Sequence, residues 1–344
     1  MTNSVAGNRN SGLHERAFGL DTLRFVSAMW VAFSHGARFP IDRVIQPDSL
    51  FHKALYALNK TMFNGTAAVA VFFVLSGFLI HSPNLEKRSI AVIPFWIRRG
   101  VRIGVPLIAI LLIARSLGDQ YFSSLDQVIW SVFAEITYYA LYPLFLPLIS
   151  YFGIARIVMG SLCISLFMIA LSPQQVYLWS FGFSTWLFCA PLWLMGCFLA
   201  AHRARIIDIV KQISVWFFRV GALAYCFAST LLATHVDGFV IGYTWTIWLF
   251  GPFCVLWLAS EMFQGQNGAV FPLLERLGAG GYAIYLTHKL ILTLFESQFG
   301  HLSPLIYWLS SLAAIGIAAW VFYRLIERPS HELARSLGRR RLAG

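Results

Sequence analysis

The chain has 344 residues, 58% of them hydrophobic and only 12% charged, with a mean hydropathy of +0.68. A soluble domain carries about twice that charged fraction, so a soluble globular protein is excluded, and the missing strand alternation excludes a lipid-facing β-barrel. The net charge of +11 would suit nucleic acid as a partner, but its placement along the chain belongs to a membrane protein instead.

The first sixteen residues are polar, and no small-residue cleavage site follows the first apolar run, so no cleaved signal peptide is expected. Apolar stretches near the ~20 residues that a bilayer demands follow at 18–37, 65–82, 101–117, 128–149, 156–172, 184–201, 213–233, 242–262, 280–297 and 304–325. The third and fifth are short. The expected fold is all-α: a polytopic transmembrane bundle of about ten helices. Residues 1–17 form a cytoplasmic segment, 18–329 an integral membrane domain and 330–344 a basic cytoplasmic tail. The loop 38–64 is the one long polar stretch inside the domain, and Pro329 is expected to end the last helix.

With the amino terminus inside, most basic residues fall on the cytoplasmic side, while outer loops 173–183, 234–241 and 298–303 have no Lys or Arg. This is the positive-inside pattern, and an even number of spans returns both termini to the cytoplasm. It accounts for the charge without nucleic acid. No internal repeat is visible, which weighs against an inverted-repeat transporter. The five cysteines lie in or beside apolar runs without a C-x-x-C, so they read as packing residues, and no metal site is expected.

Ionisable residues inside such stretches mark functional sites by default. Asp21, Arg24 and His35 interrupt the first one. Eleven residues separate Arg24 from His35, which places both on one helix face about 16 Å apart along the axis. Arg24 near the cytoplasmic end suits phosphate, because its planar fork donates two parallel hydrogen bonds. His35, deeper, suits proton movement near neutral pH. A long donor with a phosphate head and a reactive tip fits this geometry, and a coenzyme A thioester has that shape. An Asp21–Arg24 helix-end pair with a snorkelling Arg24 fits equally well.

In the second stretch Ser76-Gly77 permits close helix approach or brings a ligand near the backbone. At the mouth of the third, Arg98, Arg99 and Arg102 have i,i+3 and i,i+4 spacings that let guanidiniums converge; anchoring at the membrane surface explains the same residues. Glu135 is a lone carboxylate inside the fourth stretch and must be paired, protonated or facing a polar cavity. Tyr285, His288 and Lys289 interrupt the ninth. The pattern Glu327-Arg328-Pro329 reads as a cytoplasmic boundary.

These blocks, in order from about Gly19 to Pro329, resemble acyltransferase family 3, integral membrane O-acyltransferases that decorate O-antigens, exopolysaccharides, peptidoglycan, lipochitooligosaccharides and macrolides. Arg24 with His35 is similar to the family's R-x10-H, Phe72 to Leu79 to its second-helix block, and Arg99 to Arg102 to its R-x-x-R. Trp130 to Tyr139 resembles its W-S-x-x-x-E block, and Tyr282 to His288 and Glu327-Arg328-Pro329 follow the pattern too. The resemblance implies an acyl-CoA donor, commonly acetyl-CoA, on the cytoplasmic side, a hydroxyl on a carbohydrate-like or macrolide acceptor, and a bacterial cytoplasmic (inner) membrane. It implies His35 as the catalytic residue, with Glu135 orienting or re-protonating it. Arg24, Arg99 and Arg102 would hold the donor, with Arg98 and Ser76 as further donor contacts, and Asp21, Tyr285 and His288 are the remaining candidates. His35 fits a general base and a covalent acyl carrier equally. A transporter or flippase of a lipid-linked sugar or small acid, with Glu135 and the histidines as proton relay, is the alternative.

Overall fold

A computed structural model describes residues 19–45, 49–235, 241–268 and 271–340. Segment 1–17 and the end of the tail, 341–344, lie outside the described residues, as does most of the outer loop 234–241. Each of the expected stretches is helical: α1 (Leu20–Ala32), α2 (Gly65–His81), α3 (Val92–Leu117), α4 (Asp126–Phe152), α5 (Ile154–Leu171), α6 (Thr185–Ala201), α7 (Val215–His235), α8 (Tyr243–Gln266), α9 (Gly281–Phe299) and α10 (Pro304–Phe322). Eight helices among the described residues are long and apolar enough to cross a membrane. The two that fall short are α1, which with the turn that follows it carries Asp21, Arg24 and His35, and α9, which carries His288, Lys289 and Glu296.

Three expectations need correction. The third span is not short: α3 begins at Val92 and runs 26 residues, so Arg98, Arg99 and Arg102 are all helical. The loop 38–64 is not simply polar loop. It contains a helix, Leu50–Met62, whose first turn is capped where the His52 N–H donates to Ser49 Oγ at 3.0 Å. Pro329 does not end the last helix. A π-helical turn at Tyr323–Glu327 widens the backbone just before it, and a helix continues over Arg328–Arg340 with Pro329 in its first turn, where a missing N–H costs least.

Helices α2, α6 and α8 form the buried middle, while α3, α5, α7 and α10 turn large apolar side chains such as Leu112, Phe167, Phe217 and Trp320 outward. Without a hydrophobic drive between helices in lipid, close backbone packing holds such a bundle together. A very close seam joins α2 to α6. A Cβ on Gly77 would lie 1.9 Å from the Trp193 carbonyl oxygen, and one on Gly196 2.0 Å from that of Val74.

Helix α1 starts at Gly19, in the left-handed region at φ 91°. It lacks a side-chain cap of its own. The Thr22 hydroxyl donates instead to Glu275 Oε1 at 3.0 Å, from the short helix Pro272–Gly278, which brings a carboxylate to the positive end of the α1 dipole. At the other end α1 passes into a π turn, Phe33–Ala37, that contains His35. Arg24 lies beside Gly281, and His35 beside His288, so α1 and α9 run parallel. Helix α10 returns antiparallel to them: the Trp308 Nε1–H donates to the Ala37 carbonyl at 3.0 Å at one end, and Glu327 lies against Ala283 at the other.

Candidate active site

The Arg24 end of this bundle encloses a cavity of about 260 Å³, lined among others by Arg24, Ser76, Arg99, Arg102, Glu135, Tyr139, Tyr285, Glu327 and His331. Its mouth is basic. Arg99 and Arg102, one helical turn apart, are the convergent pair; their ring and charge neighbours are Tyr139, with Arg99 5.6 Å from its centroid, and Glu327. Arg24 is ion-paired to Asp21 and also lines the cavity. The helix-end pair therefore holds the guanidinium at the cavity wall. Arg98 is exposed and lines neither cavity described here, so its expected role as a donor contact is not supported by its position.

A directed chain of hydrogen bonds crosses the cavity wall. Trp193 Nε1–H donates to Ser76 Oγ at 3.2 Å, Ser76 lies 2.9 Å from the Tyr139 hydroxyl, and that hydroxyl donates to Glu135 Oε1 at 2.5 Å. Indole only donates and an ionised carboxylate only accepts, so Ser76 must donate to Tyr139. Glu135 thus ends a chain anchored on α6. Its hydrogen-bond partner is Tyr139, not His35, and the expected role of orienting His35 falls to another residue. In the sequence Glu327 reads as a boundary. It is instead a carboxylate only 1% exposed, accepting the Ala283 N–H at 2.9 Å, with His331 Nε2 3.8 Å away.

The inner end of the cavity is closed by Tyr285 on α9, Ser131 on α4 and Phe72 on α2. The Tyr285 and Ser131 hydroxyls are 2.5 Å apart, and the Phe72 ring packs edge-on against Tyr285. Arg24 and His35 therefore do not share one open track, as a straight helix had suggested. The wall stands between them.

His288, one turn beyond Tyr285, is fully buried. Its Nδ1 lies 2.8 Å from the Tyr285 carbonyl and 3.2 Å from that of Ile284, and its Nε2 lies 2.9 Å from Nδ1 of His35. Carbonyls only accept, so Nδ1 of His288 carries the proton. In the neutral ring Nε2 is then an acceptor, and the 2.9 Å contact requires the Nδ1–H of His35 to donate. This fixes the His35 tautomer and leaves its Nε2 with a free lone pair. The rings lie nearly parallel, 15° apart.

On its far side His35 lines a second cavity of about 560 Å³, with Arg38, Phe39, Tyr56, Asn59, Lys289 and Trp308. Sequence reasoning found His35 and His288 but not this chamber, because Tyr56 and Asn59 come from the helix in the long loop and Trp308 from α10. Ser131 and Tyr139 lay inside a recognised block but carry no charge to mark them. Glu327 and His331 sit past the last apolar residue, where a polar pair looks like an exit from the membrane.

Among known families, the model of an acyltransferase domain matches residues 18–324. Searches of curated proteins and of solved structures return no significant match. The matched region takes in α1 to α10 and every residue that builds the two cavities except Glu327 and His331. This multi-pass membrane protein belongs to the acyltransferase 3 family and is an acyltransferase.

Proposed function

We propose that the protein transfers an acyl group, acetyl in the simplest case, from acyl-CoA to a hydroxyl of a carbohydrate-like or macrolide acceptor. The observation that carries this reading is the His35–His288 pair standing between a basic cavity and an aromatic, polar one. Arg24, Arg99 and Arg102 would bind the CoA phosphates at the mouth of the smaller cavity, which has room for a slender pantetheine arm but not for the nucleotide. Tyr285 swings from Ser131 to admit the thioester. The acceptor hydroxyl enters the larger cavity, His35 Nε2 takes its proton, and the oxygen attacks the thioester carbonyl. The tetrahedral intermediate collapses with loss of the CoA thiolate, which receives the proton from His35. His288 accepts the Nδ1–H of His35 throughout and supports the imidazolium that forms.

Helix α10 is long and apolar enough to cross a membrane, and α9 connects the same two ends of the bundle. Parallel α1 and α9 are also what two odd-numbered spans require. These relations support ten spans with both termini on the donor side, and a bacterial cytoplasmic membrane is the location proposed from the family resemblance. Purified protein incubated with labelled acetyl-CoA should transfer or hydrolyse the label, and His35→Ala should do neither. Since donor and acceptor have separate chambers, initial rates should follow a ternary-complex pattern. Full turnover by His35→Ala would remove the assignment.

A further inference from the structure

The larger cavity holds charges that chemistry at His35 does not use. Arg38 and Lys289 both line it, each is half-buried, and neither has a hydrogen-bond or ion-pair partner for its side chain among the described residues. Elsewhere in the bundle Arg24 pairs with Asp21, and Arg219 with Glu261. Of the carboxylates on the same wall, Glu296 has a partner of its own, and Asp42 lies on the exposed side, 3.9 Å from His52 and more than a hydrogen bond away. Two unmatched cations facing one chamber inside a membrane domain are costly unless a ligand supplies the counter-charge.

The rest of the wall suits a sugar. The Trp308 ring is fixed by its bond to the Ala37 carbonyl and by the edge of Phe39, 5.1 Å away, and it presents an apolar face. Asn59 donates its amide to the Phe39 carbonyl at 2.8 Å, which leaves its side-chain oxygen as an acceptor. We infer that the acceptor is an anionic sugar, whose carboxylate or phosphate sits between Arg38 and Lys289 while a hydroxyl of the same ring reaches His35. This rests on the proposed use of the larger cavity for the acceptor.

Binding tests it without requiring the natural acceptor. Full-length protein in detergent is titrated calorimetrically with glucuronate, glucose 6-phosphate and glucose, and then again in nanodiscs of phosphatidylcholine with and without phosphatidylglycerol. The expected result is saturable binding of at least one anionic sugar, roughly tenfold or more tighter than glucose, as charge-assisted contacts allow. Lys289→Gln and Arg38→Gln should each weaken it by a similar factor, and Lys289→Arg should restore it. Lys53→Gln, the same charge change at an exposed position, should not weaken it. Carboxylate and phosphate arms tell the two anion chemistries apart. Equal affinity for glucose, no anion binding up to millimolar concentrations, or unchanged affinity in both Gln variants would overturn the inference. Loss of sugar binding in phosphatidylglycerol discs would also overturn it, by making a lipid headgroup the anion. Acetyl-CoA turnover by the wild type is measured on the same preparation. Its absence counts against the acyl-CoA reading alone, whereas equal sugar affinities with turnover intact count against the anion alone.

Discussion

Replacing His288 with Ala tests the central claim about the site. In the structure the Nδ1–H of His35 has one acceptor, His288 Nε2 at 2.9 Å, and His288 is itself locked by the Tyr285 carbonyl at 2.8 Å. When His35 takes a proton this contact becomes a hydrogen bond from a cation, a type that contributes about 1.5–3 kcal/mol. At about 1.4 kcal/mol per factor of ten, its loss should lower kcat by roughly 10- to 150-fold. The free choice of tautomer that follows adds to the loss. The effect should fall on kcat and leave the KM for acetyl-CoA near its wild-type value, because the donor phosphates would sit on the far side of the Tyr285 wall. His288→Gln, which keeps an acceptor oxygen near the same place, should recover part of the rate. The assay is steady-state transfer or hydrolysis of labelled acetyl-CoA by protein in detergent or nanodiscs. A His288→Ala enzyme with kcat within about threefold of wild type, or one altered only in KM, would refute the tautomer argument.

Arg99→Ala and Arg102→Ala should each raise the KM for acetyl-CoA by roughly tenfold, while Arg98→Ala, at an exposed position outside both cavities, should change it far less; an equal effect at Arg98 would support surface anchoring for the whole group. Gly77→Ala should destabilise the bundle by about 1–3 kcal/mol or prevent folding, since its Cβ would meet the Trp193 carbonyl at 1.9 Å. A thermal melt indistinguishable from wild type would contradict that packing. Arg219→Met should leave Glu261 without its bidentate partner, now at 2.8 and 2.9 Å, at a cost of about 2–4 kcal/mol, less than a wholly buried pair because Arg219 is partly exposed. The double variant Arg219→Met, Glu261→Leu should regain stability in the same melt, and a double variant no better than the single one would count against a desolvation origin.

The helices were legible in the sequence because a bilayer imposes one length and one polarity on every span. The exceptions arose where that rule is relaxed. Val92 to Gly100 is rich in basic residues, so hydropathy cuts α3 short, although Pro94 falls in the first turn, where no helical N–H is lost. Pro329 reads as a stop in the sequence because its effect depends on the turn before it, and a π turn leaves no simple mark there. Of the site, the charged and imidazole side chains announced themselves by their expense in an apolar run. Their pairing did not. Whether His35 meets Glu135 or His288 depends on how α1 lies against α4 and α9, and spacing within one helix carries no information about that. Ser131 and Tyr139 are ordinary residues in a membrane helix until the fold brings the Tyr285 hydroxyl and a Glu135 carboxylate oxygen, respectively, to 2.5 Å from them.

The two helices too polar to pass as membrane spans by composition are the two that carry the histidines. A reaction placed at depth needs polar groups there, and each lowers the hydropathy that would insert its helix unaided. The bundle offsets this by packing. α1 and α9 lie side by side, and their polar residues meet at two levels, Arg24 against the start of α9 and His35 against His288. Each level then opens on its own cavity instead of on lipid. Both π turns recorded here, Phe33–Ala37 and Tyr323–Glu327, deliver a side chain to one of these levels: His35 to the inner one and Glu327 to the outer. The turn at Phe33–Ala37 closes α1, with Gly36 at φ 123° and extended backbone at Arg38, whereas the turn at Tyr323–Glu327 inserts one extra residue between two helices without a break and so re-aims one side chain. In a soluble enzyme a loop would do this. Inside a membrane, loop backbone would leave unsatisfied N–H and C=O groups, and a widened turn aims the side chain while keeping the backbone bonded.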